Sequence, residues 1–136
     1  HENIQLYIIG SEGAEGDYRR ELNRLIDDLG VKKNIVFVGQ VSNDELKYWY
    51  SASDLFCLAS RGEGSPNVLS EALACGCPSI TTDVGSAKEM INTKPDLGLC
   101  VKPDCESELL SALDKLLAVN LDRIGNFEFY SQFNWD

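Results

Sequence analysis

Apolar residues along the chain fall into two alternating patterns. Short runs rich in β-branched and aromatic residues read as strands over residues 4–9, 34–39, 54–59, 79–82 and 97–101. The segments between them carry apolar residues at helical spacing. Residues 17–29 place Leu22, Leu25, Ile26 and Leu29 on one face, with Gly30 closing the helix. A second helix, capped by Ser42 or Asn43, turns Leu46, Trp49 and Tyr50 inward and leaves Asp44, Glu45 and Lys47 in water. Shorter helical patterns cover residues 66–75 and the stretch holding Lys88, Glu89, Met90 and Ile91. A last helix starts at Cys105 or Glu106 and buries Leu109, Leu110, Leu113, Leu116 and Leu117, with Lys102 and Asp104 at its solvated rim. Every crossover is too long for a hairpin, which predicts an α/β fold: a parallel sheet with helices on both faces. The first run, ended by Gly10, reads as a buried strand, and the run of apolar residues that follows Asp54 in 54–59 predicts burial on both faces.

The most heavily punctuated stretch runs Ser60-Arg61-Gly62-Glu63-Gly64-Ser65-Pro66-Asn67-Val68-Leu69-Ser70-Glu71-Ala72-Leu73-Ala74-Cys75-Gly76-Cys77-Pro78. Ser65 can N-cap, Pro66 suits a first helical position, Gly76 suits the left-handed position after a helix, and Pro78 forbids continuation. Val68, Leu69, Ala72, Leu73 and Cys75 spread around most of the wheel, so the helix is predicted to be buried, with Glu71 its single charge. A buried carboxylate is costly unless donors meet it. Glu63 lies in the preceding loop, with seven residues between the two glutamates. Glycines in the loop and unpaired N–H groups at the helix start favour an anion. An anion cradle between two hydroxyl-binding carboxylates suits a sugar nucleotide. Ligands of parallel sheets bind beyond the carboxyl ends of the strands, so Gly10, Gly39, Ser60 and Thr82 are predicted to line one cleft with this stretch. Gly10, Gly13 and Gly16 recur at three-residue spacing, a pattern that serves a plain strand-to-helix turn as well as a phosphate.

Composition narrows the partners. Of 136 residues, 43% are hydrophobic and 25% charged, ordinary values for a soluble globular chain long enough for one domain. No apolar run approaches the roughly 18 residues of a membrane span, and no signal-peptide pattern opens the chain. A net charge of −10 argues against a nucleic-acid partner, whereas backbone N–H groups can still hold a small diphosphate. Five cysteines, an odd number without C-x-x-C spacing, and a single histidine at position 1 give a metal site little to work with, so none is predicted. Free thiols fit a reducing, cytoplasmic setting. From residue 120 the periodicity stops, and an aromatic tail follows with Phe127, Phe129, Tyr130, Phe133 and Trp135, read as a docking surface.

In this order the residues resemble the retaining, nucleotide-sugar-dependent glycosyltransferases of the GT-B fold, the group 1, family 4-like enzymes whose signature is two glutamates separated by seven residues. The resemblance runs from Leu6-Tyr7-Ile8-Ile9-Gly10 through Ile35-Val36-Phe37-Val38-Gly39, Tyr50-Ser51-Ala52-Ser53-Asp54-Leu55-Phe56 and Glu63-Gly64 to Pro78. It continues in Thr82-Asp83-Val84-Gly85 with Glu89 and reaches Phe133-Asn134-Trp135. It implies that residues 1–119 are part of a Rossmann-like, donor-binding carboxyl-terminal domain and that residues 120–136 lead toward an amino-terminal acceptor domain. By position, Glu71 would accept hydrogen bonds from ribose hydroxyls and Glu63 would contact the transferred sugar. Gly64, Ser65, Pro66, Asn67 and Val68 would present the diphosphate site, with backbone N–H groups from Asn67 and Val68. Gly39, Gln40 and Val41 would sit by the base, and Gly10 would be a further donor-binding residue. Glu89 is open between capping its helix and lining the site.

The implied reaction is retaining transfer from a UDP-, GDP- or ADP-sugar to a sugar or lipid-linked acceptor in glycan or polysaccharide biosynthesis, without an essential metal or other cofactor. The complete enzyme would be cytoplasmic or peripheral at the inner face of the membrane. The family's arginine and lysine come from a strand-loop segment upstream of this chain, and Arg61 does not match their place. Without that strand, residues 4–9 and 54–59 would face each other across a gap. The chain alone is then expected to be rearranged, marginal or a homo-oligomer, and to give no turnover. Two other readings share the architecture: a non-catalytic sugar-nucleotide-binding or assembly module, and a sugar-nucleotide epimerase.

Overall fold

The computed structural model describes residues 4–11, 17–93, 96 and 98–118. Strands and helices alternate as β1 (Leu6–Ile9), α1 (Asp17–Leu29), β2 (Ile35–Gly39), α2 (Asn43–Ala52), β3 (Phe56–Leu58), α3 (Asn67–Ala74), β4 (Ser79–Thr82), α4 (Ala87–Asn92), β5 (Gly98–Val101) and α5 (Glu106–Leu117). All strand pairing is parallel, as the long crossovers require. The strands form two sheets, β1-β2 and β3-β4-β5, with no pairing between β1 and β3 among the described residues, in keeping with the gap expected between residues 4–9 and 54–59. Hydrophobic runs identify strands but do not name their neighbours. The chain divides into two compact units, His1–Glu45 and Leu46–Asp136. Gly13, Gly16 and the aromatic tail over residues 120–136 lie outside the described residues, as does Leu97.

In the first unit Leu6 pairs with Ile35 and Tyr7 with Val36, and the ladder is extended by the Gly10 N–H donating to the Gly39 carbonyl at 2.9 Å. Asn34 Nδ2 donates to the Ile4 carbonyl at 2.7 Å, and the Arg19 guanidinium stacks 3.4 Å over the Phe37 ring. Ile26 is buried and Leu22 half-buried, whereas Leu25 and Leu29 are exposed, against the expectation for the α1 face. Ile4, Leu6, Tyr7 and Val36 are exposed too, so β1 is not the buried strand its composition predicted. A two-stranded ribbon covers only one ridge of a helix.

The second unit has a complete layered core. Register places Phe56 beside Ser79 and Leu58 beside Thr81, so these side chains share one face of the sheet. There Phe56 and Leu58 pack on Leu69 and Leu73 of α3 and Ala87 and Ile91 of α4. Ile80 pairs with Leu99 and faces the opposite side, where it packs with Val101 against Ala112 and Leu116 of α5. The central strand β4 is buried along its whole length. Helices therefore cover both faces of this sheet, as predicted. At the sheet's edge, β3 leaves Cys57 exposed, so burial on both faces does not hold there. On α5, Leu110 and Leu117 are exposed while Leu109 and Leu113 are half-buried. One sheet face cannot reach five leucines spread over the helix.

Candidate functional site

The loop between β3 and α3 leaves the carboxyl end of β3, beside the turn that follows β4. It is held from beneath. Thr82 Oγ1 donates to the Ser60 carbonyl at 2.5 Å, and the Ser86 N–H donates to the Gly64 carbonyl at 3.0 Å. Ser86 Oγ lies 3.2 Å from Ser65 Oγ. Gly85 has a φ of +54°, and a Cβ there would overlap the Gly64 and Glu63 carbonyls. The turn after β4 is thus a platform on which the glycine loop rests.

Further side chains fix the loop. Ser60 Oγ donates to Glu63 Oε1 at 2.8 Å, and Glu63 itself is exposed. Arg61 Nε is 2.8 Å from Asp104 Oδ1, so the motif's cation is engaged with the turn after β5. Both partners are largely solvated, and such pairs contribute little stability. On the neighbouring turn, the Asp83 carboxylate 2.8 Å away raises the Lys88 ammonium above its ordinary value. Glu89 is exposed on α4.

At the start of α3 the structure corrects the expected cap. Pro66 stands at the N-cap with φ −76° and ψ 97°, and its carbonyl accepts from the Leu69 N–H at 3.0 Å. Ser65 makes no capping hydrogen bond, because its hydroxyl is turned toward Ser86. No hydrogen bond among the described residues takes the N–H of Asn67 or Val68, the first two helical positions. The helix ends as predicted: the Cys77 N–H donates to the Ala72 carbonyl and the Gly76 N–H to the Leu73 carbonyl, both at 2.9 Å. Gly76 takes φ +67°, which closes this Schellman motif without Cβ strain.

A second correction concerns the faces of α3. Leu69, Ala72 and Leu73 are fully buried, while Asn67, Val68 and Glu71 are exposed. The helix is half-buried, and its open stripe carries three of the residues singled out by the sequence. Glu71 therefore avoids the cost of a buried carboxylate. It also has an internal partner that sequence reading assigned only to the core: Tyr50 Oη donates to Glu71 Oε2 at 3.3 Å. The two residues are 21 positions apart, so nothing local signalled the pair. Burial first, then the Glu71 charge, pushes the Tyr50 hydroxyl far above its ordinary pKa, and it stays a donor. Burial likewise raises the Cys75 thiol, with Glu71 adding to the effect.

Gly10, Gly39, Gln40 and Val41 belong to the first unit, where Gly10 and Gly39 are brought together by their backbone hydrogen bond. Glu63, Ser65, Pro66, Asn67, Val68 and Glu71 belong to the second unit and lie on one loop and helix start. A shallow depression of about 350 Å³ between β5 and α5, lined by Leu99, Ser107, Ser111 and Lys115 among others, shares no residue with that loop.

The family profile of the glycosyl transferases group 1 matches residues 1–126. The chain belongs to this family. An uncharacterized glycosyltransferase of Methanocaldococcus jannaschii is 30% identical over 139 residues, covering 98% of this chain and 34% of the relative. The chain spans about a third of the length of the curated relatives that it matches along nearly its whole extent. Among solved structures, the sucrose-phosphate synthase of Thermosynechococcus elongatus is 30% identical with a TM-score of 0.81, covering 96% of this chain and 35% of that one. The HepE protein of Anabaena, solved with UDP and glucose, has a TM-score of 0.84 at 23% identity, covering 94% and 36%, and bears on the fold alone. Both have the GT-B fold, and this chain shares the α/β architecture that its residues led us to expect. Among the described residues no helix is long and apolar enough to cross a membrane.

Proposed function

We propose that this chain is the donor-binding part of a retaining glycosyltransferase that moves a sugar from a nucleoside-diphosphate sugar to a sugar or lipid-linked acceptor in glycan or polysaccharide assembly. One observation carries the reading: Glu63, two N–H groups that take part in no hydrogen bond among the described residues, and Glu71 are all exposed and follow one another from the loop into the first turns of α3. Glu71 lies one helical turn, about 6 Å, beyond Asn67, a spacing that suits a ribose following a diphosphate. The Asn67 and Val68 N–H groups, with the positive end of the helix, would stabilise charge that develops on the leaving diphosphate. Glu71 accepts from the ribose hydroxyls, and Glu63, oriented by Ser60, contacts the transferred sugar. Gly64, Ser65 and Pro66 shape the anion loop. The donor is a UDP-, GDP- or ADP-sugar, and the transfer needs no metal or other cofactor. The acceptor domain and the cationic pair belong to other parts of the full-length protein.

The test is calorimetric titration of the full-length protein with UDP, GDP and ADP, alongside transfer assays. Glu71→Ala is expected to weaken the preferred nucleotide by about tenfold or more, the worth of hydrogen bonds to a charged group. Glu63→Ala is expected to cut turnover while leaving nucleotide affinity within about twofold. Unchanged affinity in Glu71→Ala would remove the ribose assignment.

A further inference from the structure

Glu71 is an exposed side chain with three rotatable bonds, yet a carboxylate that recognises a ribose must present its oxygens in one orientation. The structure supplies a rigid partner. Tyr50 is 6% exposed, its ring meets Phe56 edge-on at 5.5 Å, and it packs with Ala72 and Cys77. From this socket its hydroxyl reaches Glu71 Oε2 at 3.3 Å. Oε2 is thereby engaged from the protein side, while no hydrogen bond among the described residues reaches Oε1, which can accept from an external donor.

Resting on the ribose role assigned to Glu71 above, we propose that Tyr50 is its positioning residue, holding Oε2 so that Oε1 is presented to the nucleotide's ribose. The hydroxyl contributes to recognition of the sugar hydroxyls and not to affinity in general. A site built to bond a hydroxyl discriminates against the analogue that lacks it. Loss of the positioning contact should therefore appear as lost discrimination between ribonucleotide and deoxyribonucleotide.

The experiment titrates the full-length protein with UDP, GDP and ADP, each against its 2′-deoxy counterpart. Tyr50→Phe keeps the ring and its packing on Phe56. It is expected to weaken the preferred ribonucleotide by about threefold to tenfold and the deoxy form by less than about twofold. In a Glu71→Ala background, which removes both acceptor oxygens, the same change should add nothing further. Equal weakening of both nucleotides means that Tyr50 only supports packing, and the proposal fails. If Glu71→Ala removes the preference for ribose and Tyr50→Phe leaves it intact, the proposal fails while the ribose reading stands. If Glu71→Ala leaves the preference unchanged, both fall together.

Discussion

At the residue scale, the loop that carries Glu63 depends on a position with no side chain. Gly85 sits directly under the Glu63 and Gly64 carbonyls in a left-handed conformation, so its substitution meets backbone on one side and strain on the other. Gly85→Ala is expected to lower stability by about 1–3 kcal/mol, the usual cost of forcing a residue with a Cβ into this region. It should also weaken nucleotide binding, because the displaced atoms belong to the loop itself. Denaturant unfolding beside nucleotide titration checks both. Unfolding midpoints that match the parent's would show that the turn yields and that the platform is not needed. Thr82 and Ser86 act in the same way, through the backbone of the loop, whereas the Ser60 hydroxyl acts on the Glu63 side chain.

Elements are joined by charge-assisted hydrogen bonds at their ends. Glu108 in the first turn of α5 accepts from the Lys102 N–H at 2.9 Å and from Lys102 Nζ at 2.8 Å, tying the end of β5 to the helix that covers it. The Lys102 side chain, then the Lys102 backbone, hold the Glu108 carboxyl below its ordinary value. A carboxyl with a lowered folded pKa adds stability that is present above its unfolded value and lost as pH falls through the folded one. Glu108→Gln should therefore be less stable than the parent at neutral pH, with the two converging in acid below the carboxylate range. Urea midpoints at neutral pH and near pH 3 measure the difference, and a gap that persists in acid contradicts the assignment. Ser42 and Glu45 make a similar tie at the start of α2, with hydrogen bonds of 3.0 and 2.8 Å.

The two units of the whole chain differ in how completely they bury their sheets. In the second, β4 has α3 and α4 on one face and α5 on the other, with Leu69, Leu73 and Ile80 fully buried. In the first, Ile4, Leu6, Tyr7, Leu25, Leu29 and Val36 are exposed around a two-stranded sheet. Protection against amide exchange follows burial of the bonded strand. Amides of β4 are expected to exchange slowest, and those of β1 and β2 appreciably sooner. Mass-spectrometric hydrogen exchange reads this directly, and equal protection in both sheets would overturn the packing account.

Much of this was legible from residue order alone. The bounds of α1 and β4 and the glycine closure of α3 follow from local chemistry, because apolar period, Pro66, Gly76 and Pro78 act within a few residues of themselves. The family resemblance was equally local, resting on short ordered motifs. The wheel of α3 misled because small and apolar residues do not say which of them meets a neighbour. Val68 looked like core and is exposed, while Glu71 looked costly and is solvated. Ser65 looked like a cap, but a hydroxyl 21 residues away competes for it. The sequence by itself determined which segments are strands and helices, where α3 stops, and which loop holds the glutamates, since each depends on neighbours along the chain. Only the tertiary structure decided which strands pair, which stripe of α3 faces outward, and that Tyr50 reaches Glu71. Those outcomes depend on contacts between residues far apart in sequence.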